Sequence, residues 1–196
     1  HAPGSQFLYS NVGFVMVGSA METATGRSWE ELITALVFEP LGMASCGFGA
    51  PGQGADGEQP WGHTQVNQPV TPGPFADNHP ALGPAGTVHC AMADWVKFLQ
   101  EMMLARDGRS EWLTAATAEA ILTPVTQDYA LGWGIHTEGD VVAYTHDGSN
   151  TMWYASAWMV PERDLGWVVV SNASIEPGGL ATLGVTLAIR SRYVAN

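Results

Sequence analysis

Two short groups of polar residues in this 196-residue chain could act together in acyl transfer. One is Tyr9-Ser10-Asn11 near the start, and the other is His146-Asp147-Gly148-Ser149-Asn150 near the end. Acyl transfer through a serine needs a base for the hydroxyl proton, donors for the developing oxyanion and groups that orient the substrate. A tyrosine, an asparagine, a histidine and a backbone amide beside glycine can fill these roles. Side chains of these types could therefore serve in an acyl-transfer site.

Both groups resemble motifs of the serine β-lactamases, penicillin-binding proteins and related esterases. Tyr9-Ser10-Asn11 is similar to that family's Tyr-x-Asn element, and His146-Asp147-Gly148 to its Lys/His-x-Gly strand on the opposite wall of the cleft. The stretches around them are similar and in family order, namely residues 26–31 (GRSWEE), 38–43 (FEPLGM), 85–95 (AGTVHCAMADW) and 129–134 (YALGWG). The resemblance extends from residue 3 to residue 172.

The resemblance implies a catalytic set of Tyr9, His146 and Ser149. Tyr9 is the expected base and later the acid, and because a phenol ionises only near pH 10, a cation must sit beside it. His146 is expected to donate a hydrogen bond to Tyr9 or to the leaving group. The backbone N–H of Ser149 is the expected half of an oxyanion hole, where such a donor contributes about 3–4 kcal/mol in the transition state.

Five further residues are expected to bind the substrate. Asn11 would orient an amide or carbonyl, although helix capping alone would also explain an asparagine there. Gly148 would let the substrate backbone approach closely. Asp147 stands where the family most often has threonine or serine, and an aspartate would repel a substrate carboxylate. This favours neutral esters or amides over penicillins. Trp133 and Trp153 are expected near the site.

The family's nucleophile lies in a Ser-x-x-Lys helix upstream of the tyrosine, and this chain contains no such tetrad. Its only lysine, Lys97, is placed toward water by helix periodicity. We therefore expect a β-lactamase-like domain over residues 1–196 that is incomplete at its N-terminus and belongs to a serine hydrolase working through an acyl-serine. Two alternatives stay open: a non-catalytic binding or regulatory module, and a site completed by another chain.

Composition limits the partners. The formal net charge of −12, from 19 acidic and 7 basic side chains, leaves no basic patch for nucleic-acid phosphates. The apolar run from Val12 to Met21 is too short to span a bilayer. His63, His79, His89 and His136 lack metal-ligand spacing. The expected partner is a small ester, amide or β-lactam without cofactor, together with self-association or association with the missing segment.

The cysteines and the N-terminus bear on the cellular compartment. Cys46 and Cys90 could form one bridge or remain as two buried thiols; the thiols are the simpler expectation, and the sequence does not decide. His1 is not a translation start, so any signal peptide would have been lost with the preceding residues. The family resemblance implies the periplasm or the extracellular space, with the cytoplasm as the alternative.

Hydrophobic patterning predicts a partial β-lactamase-like α/β (α+β) fold. Residues 1–125 should be mainly helix and loop, and residues 126–196 antiparallel strands with a C-terminal helix. Helices are expected at 12–25 with Asn11 as cap and Gly26 as stop, and from Ser28, which forms a capping box with Glu31, to Pro40. Further helices are expected at 114–122, at 180–192 and from about Asp94, the last with an apolar side of Trp95, Phe98, Leu99, Met102 and Met103. Strands are expected at 130–136, 141–145, 155–160 and 167–171, the last two as a hairpin around Pro161-Glu162-Arg163-Asp164. The glycine- and proline-rich loop of residues 50–84 should cover the site or move.

Overall fold

The computed structural model describes residues 2, 4–52, 59–126 and 128–194. Its elements in chain order are α1 (Asn11–Thr25), α2 (Trp29–Ile33, continued by a π-helical turn Thr34–Phe38), β1 (Gly47–Phe48), α3 (Gly83–Gly86), β2 (Val88–His89), α4 (Met92–Arg106), α5 (Ala115–Leu122), β3 (Gly134–Glu138), β4 (Val141–Ser149), β5 (Tyr154–Val160), β6 (Leu165–Ser171) and α6 (Ile175–Tyr193). The expectations that fall on His1, Pro3 and residues 53–58 lie outside the described residues.

The second half of the chain forms a four-stranded antiparallel sheet in the order β3-β4-β5-β6. Thr145, Trp158 and Trp167 lie opposite one another on neighbouring strands, so they share one face of the sheet. Helix α6 covers this face, where the Trp167 indole N–H donates to Thr186 Oγ1 at 3.4 Å. The predicted mixed α/β fold, an antiparallel sheet backed by a C-terminal helix, is confirmed.

The opposite face of the sheet packs against α4 and α5. Leu99 and Met102 of α4 and Leu122 of α5 form one buried cluster with Ala157 and Met159 of β5. Full burial of a leucine-sized side chain contributes about 1.5–3 kcal/mol, so this cluster fixes the helical region against the strands. The predicted apolar side of the third expected helix is thereby confirmed.

Local capping explains where the first helices begin and end. Ser10, rather than the expected Asn11, caps α1, because its hydroxyl accepts from the Gly13 N–H at 3.1 Å and Asn11 is the first helical residue. Gly26 ends the helix at φ 69°, as predicted. Ser28 and Glu31 form the predicted capping box of α2.

The C-terminal helix begins earlier than predicted, at Ile175 rather than near residue 180. Gly178 and Gly179 belong to its first turns instead of preceding it. A Cβ on Gly178 would lie 2.8 Å from the Tyr154 Cβ and 2.7 Å from the Ala173 carbonyl oxygen, so glycine is needed there for close packing against β5.

The two cysteines form a disulfide, so the expectation of two buried thiols is wrong. Cys46 and Cys90 lie directly beyond the paired ends of β1 and β2, with a Cα–Cα distance of 4.1 Å. The small β1–β2 sheet lies in the half of the chain that was expected to be helix and loop. The pairing depends on a contact between segments 44 residues apart, which local patterning does not reveal.

The sequence predicted that Lys97 points into water. Its side chain is 43% exposed, but it also has partners within the protein. Its ammonium contacts the Asp94 carboxylate at 2.6 Å and donates to the Gly42 carbonyl. Asp94 also accepts from the N–H and hydroxyl of Ser45. The hydrogen bond from Lys97, and then those from Ser45, lower the pKa of Asp94 from 3.8 to about 2. This cluster ties the turn after α2 to α4.

Two helices expose apolar surface. Most of α1 is uncovered by the described residues, including Val12, Met16 and Val17. On α6 the exposed side chains of Leu180, Leu183 and Leu187 recur at helical spacing. Surfaces of this kind usually mark interaction sites. Within the described residues, no helix has both the length and the hydropathy needed to cross a membrane.

The Asp94 cluster predicts acid sensitivity. The pKa of Asp94 is lower in the folded state than in the unfolded state. As the pH falls, Asp94 is therefore protonated first in the unfolded chain. The stability it contributes is present above about pH 4 and is lost as the pH falls toward 2. Asp94→Asn should lower Tm at pH 7 and flatten its fall between pH 4 and 2, as measured by thermal melts. Asp107→Asn, at an exposed ion pair, should do neither; equal effects would contradict the assignment.

Candidate active site

Tyr9 and Asn11 contact each other at the start of α1. The Tyr9 hydroxyl donates to Asn11 Oδ1 at 2.6 Å, and the tyrosine is 72% exposed. Because Ser10 performs the capping, the Asn11 side chain is released from that role. One wall of the candidate site therefore presents a phenol and an amide whose orientation is set by their mutual hydrogen bond.

His146 lies on β4, opposite Ala157 of β5. Strand alternation puts His146 and Gly148 on the face that packs against α4 and α5. The last residue of β4 that pairs with β3 is Thr145, opposite Gly134. Within the described part of the chain, residues 146–149 therefore form an unpaired strand edge, where a substrate could approach the backbone.

The turn from Tyr129 to Gly134 contacts His146 and the segment that leads into Tyr9. Its Tyr129 ring packs on Phe7 at 4.3 Å, and the pKa of Tyr129 is raised by burial and then by the nearby Tyr9 phenol. Its Gly132 carbonyl is hydrogen-bonded to His146 Nδ1 at 2.5 Å. One short turn thus lies between the His-x-Gly group and the segment that precedes the Tyr-x-Asn group.

Trp133 anchors this turn to the hydrophobic core. It is only 6% exposed and belongs to the cluster under α4 and α5, and its ring stands edge-on to His146 at 6.3 Å between centroids. The strand predicted from Ala130 begins only at Gly134, because the Ala130 N–H bonds to the Trp133 carbonyl and closes a turn. The structure thus brings Trp133 close to His146, and its place near an active site stays a prediction.

Asp147 lies on the other face of the sheet. Strand alternation separates it from His146 and Gly148, and it lies beside Tyr154. The pKa of Tyr154 is raised first by burial and then by the negative charge of Asp147. The sequence suggested that Asp147 would repel a substrate carboxylate. Its placement argues against direct contact with a substrate that lies over His146.

Gly148 and Ser149 end β4 at the open edge. A Cβ on Gly148 would meet no atom within 4 Å, so the structure leaves space beside it. The Ser149 hydroxyl donates to the Trp153 carbonyl at 2.6 Å and accepts from the Thr151 N–H at 3.0 Å. This hydroxyl is committed to the β4–β5 turn, and only the backbone N–H of Ser149 remains for an oxyanion role.

The described part of the loop of residues 50–84 is hydrogen-bonded to the β4–β5 turn. Asp77 Oδ1 accepts from the Asn150 amide at 2.7 Å, and the Trp153 indole donates to the Pro60 carbonyl at 3.2 Å. Asn150 Oδ1 accepts from the N–H groups of Met152 and Trp153. Loop and turn therefore form one hydrogen-bonded unit next to Ser149, with Trp153 inside it.

Two of the other histidines are bound to backbone. The rings of His63 and His89 are hydrogen-bonded to the carbonyls of Asn172 and Gly49. Across residues 2, 4–52, 59–126 and 128–194, no three histidine, cysteine, aspartate or glutamate side chains come together to hold a metal ion.

Sequence reasoning missed three contributors to this region. Tyr129 and Gly132 lie in the YALGWG stretch, where the tyrosine and the glycine offered a signal that was read only as part of a strand. Asp77 gave none, because it lies in a glycine- and proline-rich loop without periodicity. Its role depends on Asn150, 73 residues away.

The helix-backed antiparallel sheet, with Tyr-x-Asn and His-x-Gly at one strand edge, defines a penicillin-binding-protein-like fold. A solved structure, the octameric penicillin-binding protein homologue from Pyrococcus abyssi, matches with a TM-score of 0.79 and 24% identity over 96% of this chain. The model of the Beta-lactamase family matches residues 1–187. The chain belongs to this family.

Curated relatives are similar over most of this chain but are longer. Penicillin-binding protein 4 of Amycolatopsis lactamdurans is 25% identical over 92% of the chain, and the unguisins hydrolase of Aspergillus violaceofuscus is 22% identical over 88%. The matches cover 49% and 35% of these relatives, and 44% of the Pyrococcus abyssi structure. The chain therefore spans half or less of the length of each of these three proteins.

The contact between Asp77 and Asn150 predicts a loss of stability that a second substitution can reverse. Asn150→Asp keeps the acceptor oxygen for the N–H groups of Met152 and Trp153 but places a second carboxylate against that of Asp77. Because the two charges repel and a hydrogen bond is lost, this change should lower the free energy of unfolding by about 1–3 kcal/mol. Adding Asp77→Asn should recover most of this loss, because the new amide can donate to the new carboxylate. Asp77→Asn alone, which keeps an acceptor oxygen, is the control. Additive effects in denaturant unfolding would show that the pair is not coupled.

Proposed function

We propose that this chain carries two walls of the active site of a serine hydrolase, which transfers the acyl group of an ester or amide, β-lactams included, through an acyl-serine. The observation that supports the proposal is the Tyr129–Gly134 turn, which is hydrogen-bonded to His146 and packs against Phe7, two residues before Tyr9. A phenol, an imidazole and an unpaired backbone edge are the parts that acyl transfer needs around its nucleophile.

Each residue has a proposed role. Tyr9 takes the proton of the attacking hydroxyl and returns it to the leaving group. Asn11, held by Tyr9, orients the substrate carbonyl or amide. His146 assists Tyr9 from the opposite wall. The Ser149 N–H stabilises the oxyanion, and Gly148 leaves room for the substrate backbone.

The nucleophile is proposed to come from a segment outside this chain. The chain contains no Ser-x-x-Lys, and the Ser149 hydroxyl is committed to a turn. The relatives are at least twice as long as the part that matches. The exposed apolar sides of α1 and α6 would accept the additional segment, or another copy in an oligomer.

A second candidate function is consistent with the lack of a Ser-x-x-Lys tetrad in this sequence. A chain that keeps the cleft without a nucleophile would serve as a binding or regulatory module for the same small acyl compounds. The encoding DNA distinguishes the two, because an in-frame Ser-x-x-Lys upstream of Tyr9 supports the hydrolase and its absence supports the binding module.

We place the protein in the periplasm or outside the cell. The disulfide between Cys46 and Cys90 supports this location, since disulfides form and persist in oxidising compartments. A fractionation experiment that finds the protein with its thiols free in the cytoplasm would contradict the location.

The proposed hydrolase is tested by comparing this chain with a longer protein that includes the Ser-x-x-Lys segment. The chain alone should not hydrolyse a chromogenic ester, while the longer protein should. In the longer protein Tyr9→Phe should lower kcat/KM by about 10²–10⁴-fold, the usual contribution of general acid–base catalysis. Tyr193→Phe, at an exposed tyrosine of α6, is the matched control and should have no effect. Turnover by the chain alone that disappears in Tyr9→Phe would mean that a nucleophile lies within it.

Substrate preference is tested at Asp147. Because its carboxylate lies on the face of the sheet opposite His146, Asp147→Thr in the longer protein should leave the ratio of ester to carboxylate-bearing β-lactam turnover within about twofold. A shift of about tenfold, equal to 1.4 kcal/mol, would show that the charge reaches the substrate after all. Parallel kcat/KM measurements on both substrates provide the ratio.

A further inference from the structure

The hydrogen bond between His146 and Gly132 determines which ring nitrogen can serve the site. A carbonyl oxygen can only accept, so Nδ1 must carry a proton in this contact. In the neutral ring the other nitrogen, Nε2, is then a bare acceptor. Nε2 carries a proton only when the ring is the imidazolium ion.

The hydroxyl proton of Tyr9 is also committed, because it points to Asn11 Oδ1. The Tyr9 oxygen can therefore accept a hydrogen bond but has no second proton to give. Two acceptors would face each other if neutral His146 were turned toward Tyr9. A direct hydrogen bond from His146 to Tyr9 requires the imidazolium.

We propose that the Gly132 carbonyl is a positioning group that holds His146 as the Nδ1–H tautomer, so that His146 donates to the active site from Nε2 only as a cation. The tautomer is a property of this chain, whereas the role in turnover rests on the proposed function. The charged form also provides the cation that a tyrosine base needs near neutral pH.

The turn gives the carbonyl little freedom to move away. Gly132 has a φ of 85°, a left-handed conformation that suits glycine. The next residue, Trp133, is locked in the core, and the Ala130 N–H bonds to its carbonyl. An isolated bridge pairs Tyr129 with Gly134 at the two ends of the turn.

Few charged groups surround the ring. The titratable side chains on the elements around His146 are Tyr144 and Asp147 on β4, Tyr154 on β5, His136 and Glu138 on β3, Asp128 and Tyr129 at the turn, and Tyr9 before α1. Asp147 is on the opposite face of the sheet, and the β5 residue paired with His146 is Ala157, which does not titrate. The carbonyl is therefore the only partner of the ring nitrogens within the described residues.

The tautomer is tested by long-range proton–nitrogen NMR on protein labelled with ¹⁵N-histidine, titrated across the imidazole range. The His146→Gln variant assigns the signals. Nδ1 of His146 should remain protonated at every pH, and only Nε2 should lose its proton. A neutral ring with the proton on Nε2 would overturn the proposal.

Two glycine variants separate a positioning role from general destabilisation. Gly132→Ala and Gly139→Ala both place a side chain at a positive φ with no atom within 4 Å, so their strain is comparable. Gly132→Ala should shift the His146 proton toward Nε2, while Gly139→Ala should leave the spectrum unchanged. Equal spectra for the two variants would contradict the role of Gly132.

In the longer protein, the pH dependence of kcat/KM tests the donor role of His146 separately. Above the His146 midpoint measured by NMR, kcat/KM should fall by about tenfold per pH unit, because the donor is lost. His146→Lys, which keeps a cation to higher pH, should move this fall to more alkaline pH. A flat profile across the midpoint would overturn the donor role. Absence of any hydrolysis would instead contradict the proposed function, since the NMR result does not depend on turnover.

Discussion

The arrangement of the candidate site depends on the burial of Trp133. Its indole ring fills the core between the sheet and helices α4 and α5, and this burial fixes the short turn that precedes β3. The turn in turn provides the carbonyl that holds His146 and the tyrosine that packs beside the start of α1. A hydrophobic contact therefore determines a polar geometry, because the backbone on either side of a locked side chain cannot rotate freely.

The elements predicted correctly from sequence are those with local causes. The capping box at Ser28, the stop at Gly26 and the hairpin around Pro161 each depend on a few neighbouring residues. The errors concern long-range contacts. Gly178 serves packing against Tyr154 rather than a turn, and the pairing of Cys46 with Cys90 requires two distant strands to meet.

The candidate site divides in the same way. The residue types of Tyr9 and His146 were visible because they resemble family motifs, and the structure puts both groups at one turn. The structure puts Asp147 on the face of the sheet opposite His146, a separation that the period of two along a strand implies for neighbouring residues. The links from Gly132 to His146 and from Asp77 to Asn150 were invisible, since neither a carbonyl direction nor a loop path is encoded in a short pattern.

The histidine at the His-x-Gly position changes what a similar fold can do. A lysine there would remain cationic throughout the physiological range, whereas a histidine titrates within it. This chain uses its only lysine elsewhere, in the contact with Asp94 that ties α4 to the preceding turn. In the proposed mechanism, the cation that this chain offers to Tyr9 is protonated His146, so the donor role depends on pH. The Gly132 carbonyl makes that dependence complete, because it removes the neutral tautomer that could still donate from Nε2.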